Sequence, residues 1–233
     1  MKITVVDLFC GIGGLTHGLQ LAGLNVVAGY DIDPTCQYAY EENNNAVFYE
    51  ADVASIPTVE ISKHYDGSDI KILVGCAPCQ PFSRYTMRYR KDEKETPIAP
   101  ANSNKNHKKW GLVKSFSDKI QQILPDIVSM ENVPELVYTN VFKKFLEVLA
   151  SCNYHVSYGV AFCPDYGVPQ NRKRLVLLAS RLGKITLIEP EYSPDDYKTV
   201  KTAINDLPKL NSGDKHEKDN LHFYSRLNEI NMK

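Results

Sequence analysis

A chain of 233 residues, 43% apolar and 24% charged, has the size and composition of one globular domain, or of one and a fragment, and at this length folding buries roughly 70% of the unfolded surface. No run of about 18 apolar residues occurs, and Met1-Lys2 leads at once into an acid-containing strand pattern, which argues against membrane insertion and secretion. The formal charge of −1 argues against a generally basic nucleic-acid coat.

Taken in chain order, Ile3 to Phe9 is a continuous apolar run rich in β-branched residues, as in a strand buried on both faces, and it breaks at Gly11, Gly13 and Gly14. A helix is expected next, with Leu15, Leu19 and Ala22 as its apolar stripe and Gly23 as its stop. Val26 to Tyr30 reads as a second strand, completing a βαβ unit. Pro34 opens a further helical pattern through Tyr40, and a third strand pattern precedes Asp52. Ile70 to Val74 and Ile127 to Met130 are short apolar runs, Val141 to Leu149 is helical by spacing, and Val156 to Phe162 and Leu175 to Ala179 read as closing strands. This alternation predicts the α/β class, with a mainly parallel, doubly wound, Rossmann-like sheet covered on both faces.

Past Arg181 the pattern fails. Pro190, Pro194, Pro208 and Asn211-Ser212-Gly213 separate only short helical candidates such as Val200 to Leu207. The expected organisation is therefore one domain over residues 1–180 and an extended tail over 181–233. Within the domain the charge is uneven: Met1 to Ser83 carries ten acids against Lys2, Lys63 and Lys71, and Arg84 to Lys114 carries nine basic residues against Asp92, Glu93 and Glu95. A net of −7 is followed by +6. The basic stretch is read as a loop, because Tyr89 to Asn106 is poor in apolar residues, holds Pro97 and Pro100, and exceeds an ordinary connection; loops of that length are functional or disordered.

Asp7-x-Phe9-x-Gly11-x-Gly13 stands at a strand-to-helix turn, where glycine permits positive φ and the helix start offers unpaired N–H groups to a nucleotide-like cofactor. Asp31, at the end of the second strand, is placed to accept hydrogen bonds from ribose hydroxyls. The pair does not distinguish a nicotinamide cofactor from S-adenosylmethionine, and a tight turn without a ligand is the plain alternative. The dinucleotide spacing is incomplete, because Thr16 occupies its last glycine position. Asp52 is either an adenine-binding acid or a surface acid. The six cysteines, Cys10, Cys36, Cys76, Cys79, Cys152 and Cys163, form neither a disulfide framework nor a two-pair zinc spacing, which points to reduced thiols in a cytosol and to no metal. Cys76-Ala77-Pro78-Cys79 has two readings. A thioredoxin-like dithiol would open a helix, whereas here Pro81 and the basic stretch follow, so Cys79 is favoured as a lone nucleophile whose thiolate fraction Arg84 and Arg88 increase. Cys10, Cys36, Cys152 and Cys163 are read as inert packing.

Asp7-Leu8-Phe9-Cys10-Gly11-Ile12-Gly13-Gly14, Pro78-Cys79-Gln80-Pro81-Phe82-Ser83, Glu131-Asn132-Val133 and Gln170-Asn171-Arg172-Lys173-Arg174 follow one another in an order that resembles the cytosine-C5 DNA methyltransferases. The resemblance covers about residues 3 to 180, and Thr199 to Leu207 followed by Pro208 is similar to the segment that precedes the family's target-recognition region. It implies a catalytic domain over residues 1–180, S-adenosylmethionine as cofactor, and double-stranded DNA as partner in restriction–modification. By the resemblance Cys79 attacks C6 of a cytosine so that C5 accepts a methyl group. Glu131 hydrogen-bonds the ring N3 and amino group, Arg174 contacts the base carbonyl, and Arg172 orients the cysteine loop. The plain alternative for Glu131 is a strand-end carboxylate paired with Arg172 or Arg174. Phe9, Gly11, Gly13, Asp31, Ile32, Asp52 and Pro78 are the implied cofactor residues, with Asp31 standing where the family often has glutamate. A stacked base hides its ring, so the cytosine must be flipped at a cost of a few kcal/mol. The stretch Arg84 to Lys114 is expected to close over the DNA as a lid.

The family's target-recognition region and its closing Gly-Asn-containing segment have no counterpart before Lys233. Three explanations are open: a split enzyme completed by a second polypeptide, a truncated product, or a chain cut short. The first is preferred, in a cytoplasmic setting. The competing functions are a tRNA cytosine-C5 methyltransferase and a catalytically silent DNA-binding or regulatory fragment.

Overall fold

A computed structural model describes residues 1–78 and 107–226. Strands β1 (Ile3–Leu8), β2 (Val26–Asp31), β3 (Val47–Glu50), β4 (Ile70–Gly75), β5 (Ile127–Asn132), β6 (His155–Phe162) and β7 (Lys173–Ser180) form one sheet in the order β3-β2-β1-β4-β5-β7-β6. The first five pair in parallel, and β7 runs antiparallel to both of its neighbours. The doubly wound α/β expectation thus holds. Helices α1 (Gly14–Leu21), α2 (Gln37–Asn43), α3 (Thr58–Ser62), α4 (His107–Ile123) and α5 (Asn140–Ser151) belong to the connections, and α6 (Val200–Ile204) follows the sheet.

The continuous apolar runs are split between two cores by the alternation of side chains along a strand. On one face, Val6 and Leu8 of β1, Leu73 of β4 and Val128 and Met130 of β5 join Phe116 and Ile120 of α4 and Phe145 and Leu149 of α5. On the other, Val5, Val26, Ile72 and Val74 pack with Leu15 and Leu19 of α1. Phe116 and Phe145 stack with ring centres 6.0 Å apart. Each such side chain contributes about 1.5–3 kcal/mol on full burial, so this face carries the α4–α5 layer.

Part of the basic stretch read as a loop is helical. His107 to Lys114 forms the first turns of α4, and Leu112, Val113, Phe116, Ile120 and Ile123 give that helix a core-facing stripe. The charge pattern concealed this period. Residues 79–106, including Cys79, Arg84 and Arg88, lie outside the described residues.

The chain divides into two compact units, differently from a cut at residue 180: Met1–Phe162 with Arg172–Pro190, and Cys163–Asn171 with the described part of Glu191–Lys233. In the second unit, the N–H groups of Glu191 and Tyr192 donate to the Asp165 carbonyl oxygen, and the Tyr197 hydroxyl donates to the Asp165 carboxylate. Thr199 caps α6. Pro164 is the one buried residue among those described in this unit, while Val200, Ile204, Leu207 and Phe223 are all more than half exposed. No helix among the described residues is long and apolar enough to cross a membrane, and no group of three or more His, Cys, Asp or Glu side chains among them could hold a metal ion.

Tyr40 of α2 is fully buried and lies against the backbone of β2. A Cβ added at Gly29 would stand 2.4 Å from its ring and hydroxyl. Gly29→Ala is expected to destabilise the protein by about 1–3 kcal/mol in urea unfolding, the range for overpacking. Gly18→Ala in α1, where a Cβ meets nothing within 4 Å, is expected to stabilise by up to about 1 kcal/mol in the same measurement.

Candidate active site

From β1 the chain moves outward through β2 to β3, and then returns to place β4 and β5 on β1's other side. The sheet order therefore reverses between β1 and β4. The crevice at the carboxyl ends of strands flanking such a reversal is where open α/β sheets bind ligands. Phe9, Gly11 and Gly13 follow β1, Asp31 and Ile32 end β2, Asp52 follows β3, Pro78 follows β4, and Glu131 lies near the end of β5. Because β7 is antiparallel, its beginning lies at this same edge, bringing Arg172 and Arg174 alongside.

The turn after β1 is left-handed at three of five residues, with φ of 59° at Phe9, 50° at Gly11 and 87° at Gly13. A Cβ at Gly13 would approach Asn44 Nδ2 to 2.3 Å and the Tyr40 ring to 2.8 Å, so that position demands glycine twice over. The positive φ of Phe9 is costly for a side-chain-bearing residue and marks a backbone held in shape by its surroundings. Asp31 is the holder. Its Oδ2 accepts from the Gly11 N–H at 2.9 Å and its Oδ1 from the Asp33 N–H at 3.0 Å. Nothing lies within 4 Å of where a Cβ would stand on Gly11 or Gly14, so the turn presents an open surface, with Ile12 and Ile32 exposed beside it. Asp52 Oδ1 accepts from the Ala54 N–H at 2.9 Å, a turn that fixes the half-buried acid after β3.

Sequence reasoning missed the group beneath this turn. Thr16, which stood out only as a failed glycine position, is fully buried; its hydroxyl donates to Asp7 Oδ2 at 2.7 Å and lies 3.1 Å from the Tyr40 hydroxyl. Asp7 Oδ1 is buried with no hydrogen-bond partner among the described residues. Burial pushes the Asp7 carboxyl up to about 7, aided by the nearby Asp31 charge and opposed by the Thr16 hydrogen bond. The signal was available in principle, since an acid inside an apolar strand run needs a partner.

At the other side of the crevice, Arg174 Nε stands 2.5 Å from Glu131 Oε1, and its Nη1 donates to the Lys173 carbonyl oxygen at 2.8 Å. The strand-end ion pair considered from sequence is present, and Arg174 makes it. Register explains the pairing: Glu131 opposes Val176, so Arg174 is its diagonal neighbour on the same sheet face. Burial holds the Glu131 carboxyl above its ordinary range, against a hydrogen bond with the Cys76 thiol and the positive charge of Arg172. Asn132, also missed, is buried, and its Nδ2 donates to the Ala77 carbonyl oxygen at 2.9 Å. That bond ties the end of β5 to the Cys76-Ala77-Pro78 backbone. Pro78 itself is exposed.

A glycine turn with a carboxylate at the second strand end has the form found in Rossmann-like sheets, and a separate acid–guanidinium pair lies at the same sheet edge. The sequence matches the family described as C-5 cytosine-specific DNA methylase over residues 3–232, and the chain belongs to it. It is 46% identical over 232 residues to the type II methylase M.HgiDII of Herpetosiphon aurantiacus, a match spanning 98% of this chain and 61% of that protein. The type II methyltransferase M.AquIA of a Picosynechococcus species is 27% identical, with 89% of this chain and 90% of that protein matched. The chain spans about half the length of other curated relatives it matches, such as M1.HphI of Haemophilus parahaemolyticus at 55%. In fold it resembles the Dnmt2 methyltransferase of S. pombe, with a TM-score of 0.61 at 19% identity, covering 88% of this chain and 66% of that one.

The raised Asp7 carboxyl makes stability depend on pH. Between its unfolded value of 3.8 and its folded value of about 7 the native state holds a proton that the unfolded chain has lost. This contribution is therefore fully present below 3.8 and lost as pH rises through about 7, a total of roughly 4 kcal/mol from this one group. Urea unfolding at pH 5 and pH 8 is expected to show about 3 kcal/mol of this loss, the part that falls between pH 5 and about 7, and Asp7→Asn is expected to flatten it.

Proposed function

We propose that this chain is the catalytic part of a DNA cytosine-C5 methyltransferase of restriction–modification type. The observation that carries the reading is the convergence of the glycine turn, the Cys76–Pro78 segment and the Glu131–Arg174 pair at one edge of the sheet, in a chain of the C-5 cytosine-specific family. The residues fit S-adenosylmethionine. The open turn at Gly11 to Gly14 offers room, its shape fixed by the Gly11 N–H on Asp31 and the Gly13 N–H on the Cys10 carbonyl oxygen, Asp31 offers its remaining carboxylate lone pairs to ribose hydroxyls, and Ile32 and Asp52 suit the faces and edge of adenine. When bound, the cofactor supplies the methyl group.

The chain's own residues then act on a flipped cytosine. C5 of cytosine is a poor carbon nucleophile, and the Cys79 thiolate corrects this by bonding to C6, which moves the π electrons toward C5 and N3. Glu131, held above its ordinary range by burial, provides the proton or hydrogen bond at N3 that this charge requires. After C5 gains its methyl group, the C5 proton leaves to a base and the thiolate is expelled, restoring the ring double bond. Arg174 aligns Glu131 and turns to the base carbonyl, and Arg172 adds positive charge beside the pair.

DNA target recognition in this reading comes from a complementary polypeptide segment. Two observations support it. M.AquIA, matched over 90% of its length, is a relative of about this size, whereas M.HgiDII extends well beyond the matched region. The second unit also lacks an apolar core among its described residues and exposes Val200, Ile204, Leu207 and Phe223, which a compact unit ordinarily buries.

Transfer of labelled methyl groups to duplex DNA is expected from the chain together with such a segment, and weakly or not at all from the chain alone. Robust site-specific methylation by the chain alone overturns the partner requirement, and transfer to tRNA in place of DNA overturns the substrate. Cys79→Ala is expected to abolish both transfer and covalent trapping on 5-fluorocytosine DNA, with S-adenosylmethionine binding retained in calorimetry.

A further inference from the structure

Cys76 follows β4 directly and is held from both sides. Its N–H donates to the Leu8 carbonyl oxygen at 3.3 Å, which continues the β1–β4 ladder one residue past the strand, and the next carbonyl oxygen, of Ala77, accepts from Asn132. A side chain on a backbone fixed to β1 and β5 has little freedom. In the parallel register Gly75 pairs with Met130, so Cys76 stands beside Glu131 one residue further along, and burial there couples the thiol to that carboxylate. Arg174 grips the same carboxylate at Oε1.

The thiol is a donor here and not a nucleophile. Burial, then the negative charges of Glu131 and Asp7, push it far above the ordinary thiol range, so it stays S–H at any working pH. Among the described residues, the groups facing Glu131 are thus the Cys76 thiol after β4, Arg174 on β7 and Arg172 just before it, with Asp7 of β1 acting on Cys76 from the other neighbouring strand.

We propose that Cys76 is a positioning residue for Glu131, its S–H holding the carboxyl group against the pull of Arg174 so that the acid faces the crevice in one orientation. The proposal rests on the methyltransferase reading for its catalytic meaning. A thiol suits the task because it is a weak donor. It orients the carboxylate without stabilising the charged form as strongly as a hydroxyl would, leaving Glu131 able to hold a proton. Cys76 thereby has a role separate from that of Cys79.

The signs of the two replacements are opposite. Cys76→Ala removes a hydrogen bond that favours the charged form of Glu131, so the pH at which Glu131 loses its proton moves up. Cys76→Ser supplies a stronger O–H donor, so it moves down. The test is carbon-13 NMR titration of the Glu131 carboxyl, assigned with Glu131→Gln, in the wild-type chain and both variants, beside pH profiles of kcat with the complementary segment. The expected result is opposite displacement in the titration and in the basic limb of kcat. The kcat of Cys76→Ala is expected to fall about tenfold, as misplacing a general acid does, with KM for S-adenosylmethionine unchanged and Cys76→Ser recovering most of the loss. Displacement in the same direction, or none, overturns the proposal, because a packing role would lower stability without moving a titration in two directions. If wild-type protein transfers no methyl group, the functional reading fails, and the titration still decides the contact.

Discussion

The reversed direction of β7 is the constraint on which this site depends. A parallel strand beside β5 would send its beginning to the far edge of the sheet and leave Glu131 facing no guanidinium. Running antiparallel, β7 places Arg174 diagonally across from Glu131 and Arg172 just before the strand, at the edge where β1 to β5 all end. Six strand termini therefore lie at one edge of the sheet, and residues more than 160 positions apart in the chain share that edge. The outermost strand, β6, then pairs with β7 and closes the sheet on that side.

The two halves of the crevice are built on different physics. The glycine-turn half is a backbone device: left-handed residues at Phe9, Gly11 and Gly13, with the Gly11 N–H held by Asp31 and the Tyr40 ring packed where a Gly13 side chain would stand. Its precision comes from sterics and amide hydrogen bonds, which tolerate little substitution. The acid half is a side-chain device, in which Glu131 is paired with Arg174 and lies beside Cys76. Half-buried charge of this kind stays adjustable, because small changes in donor strength move the balance between desolvation and pairing.

Asp7 links the halves. It lies in β1 immediately before the turn, bonds to Thr16 of α1, and its charge reaches both Cys10 and Cys76. An acid kept fully buried with one oxygen unpaired among the described residues is an expense the fold could avoid by using an apolar residue, and it stands in the strand that leads directly into the glycine turn.

Much was legible in the chain itself. Periodicity gave the strands, because buried parallel strands are short apolar runs whatever their neighbours, and the glycine spacing marked the turn, because positive φ at that density admits few other residues. The four ordered motifs gave the family and the candidate residues Cys79, Glu131, Arg172 and Arg174, while Asp31 and Asp52 were singled out by their places after the second and third strand patterns. The helical start at His107 was not legible behind a run of charges, and neither was the role of Thr16, whose partner lies nine residues back across a strand and a turn. Sequence alone determined which chemical groups are available and which local conformations they adopt, since both depend on residue type and near neighbours. Only the tertiary structure decided that Arg174 is the guanidinium on Glu131, that Cys76 stands beside that residue and that Asn132 ties β5 to the segment after β4. Each is set by strand order and register, which arise from packing between segments distant in the chain.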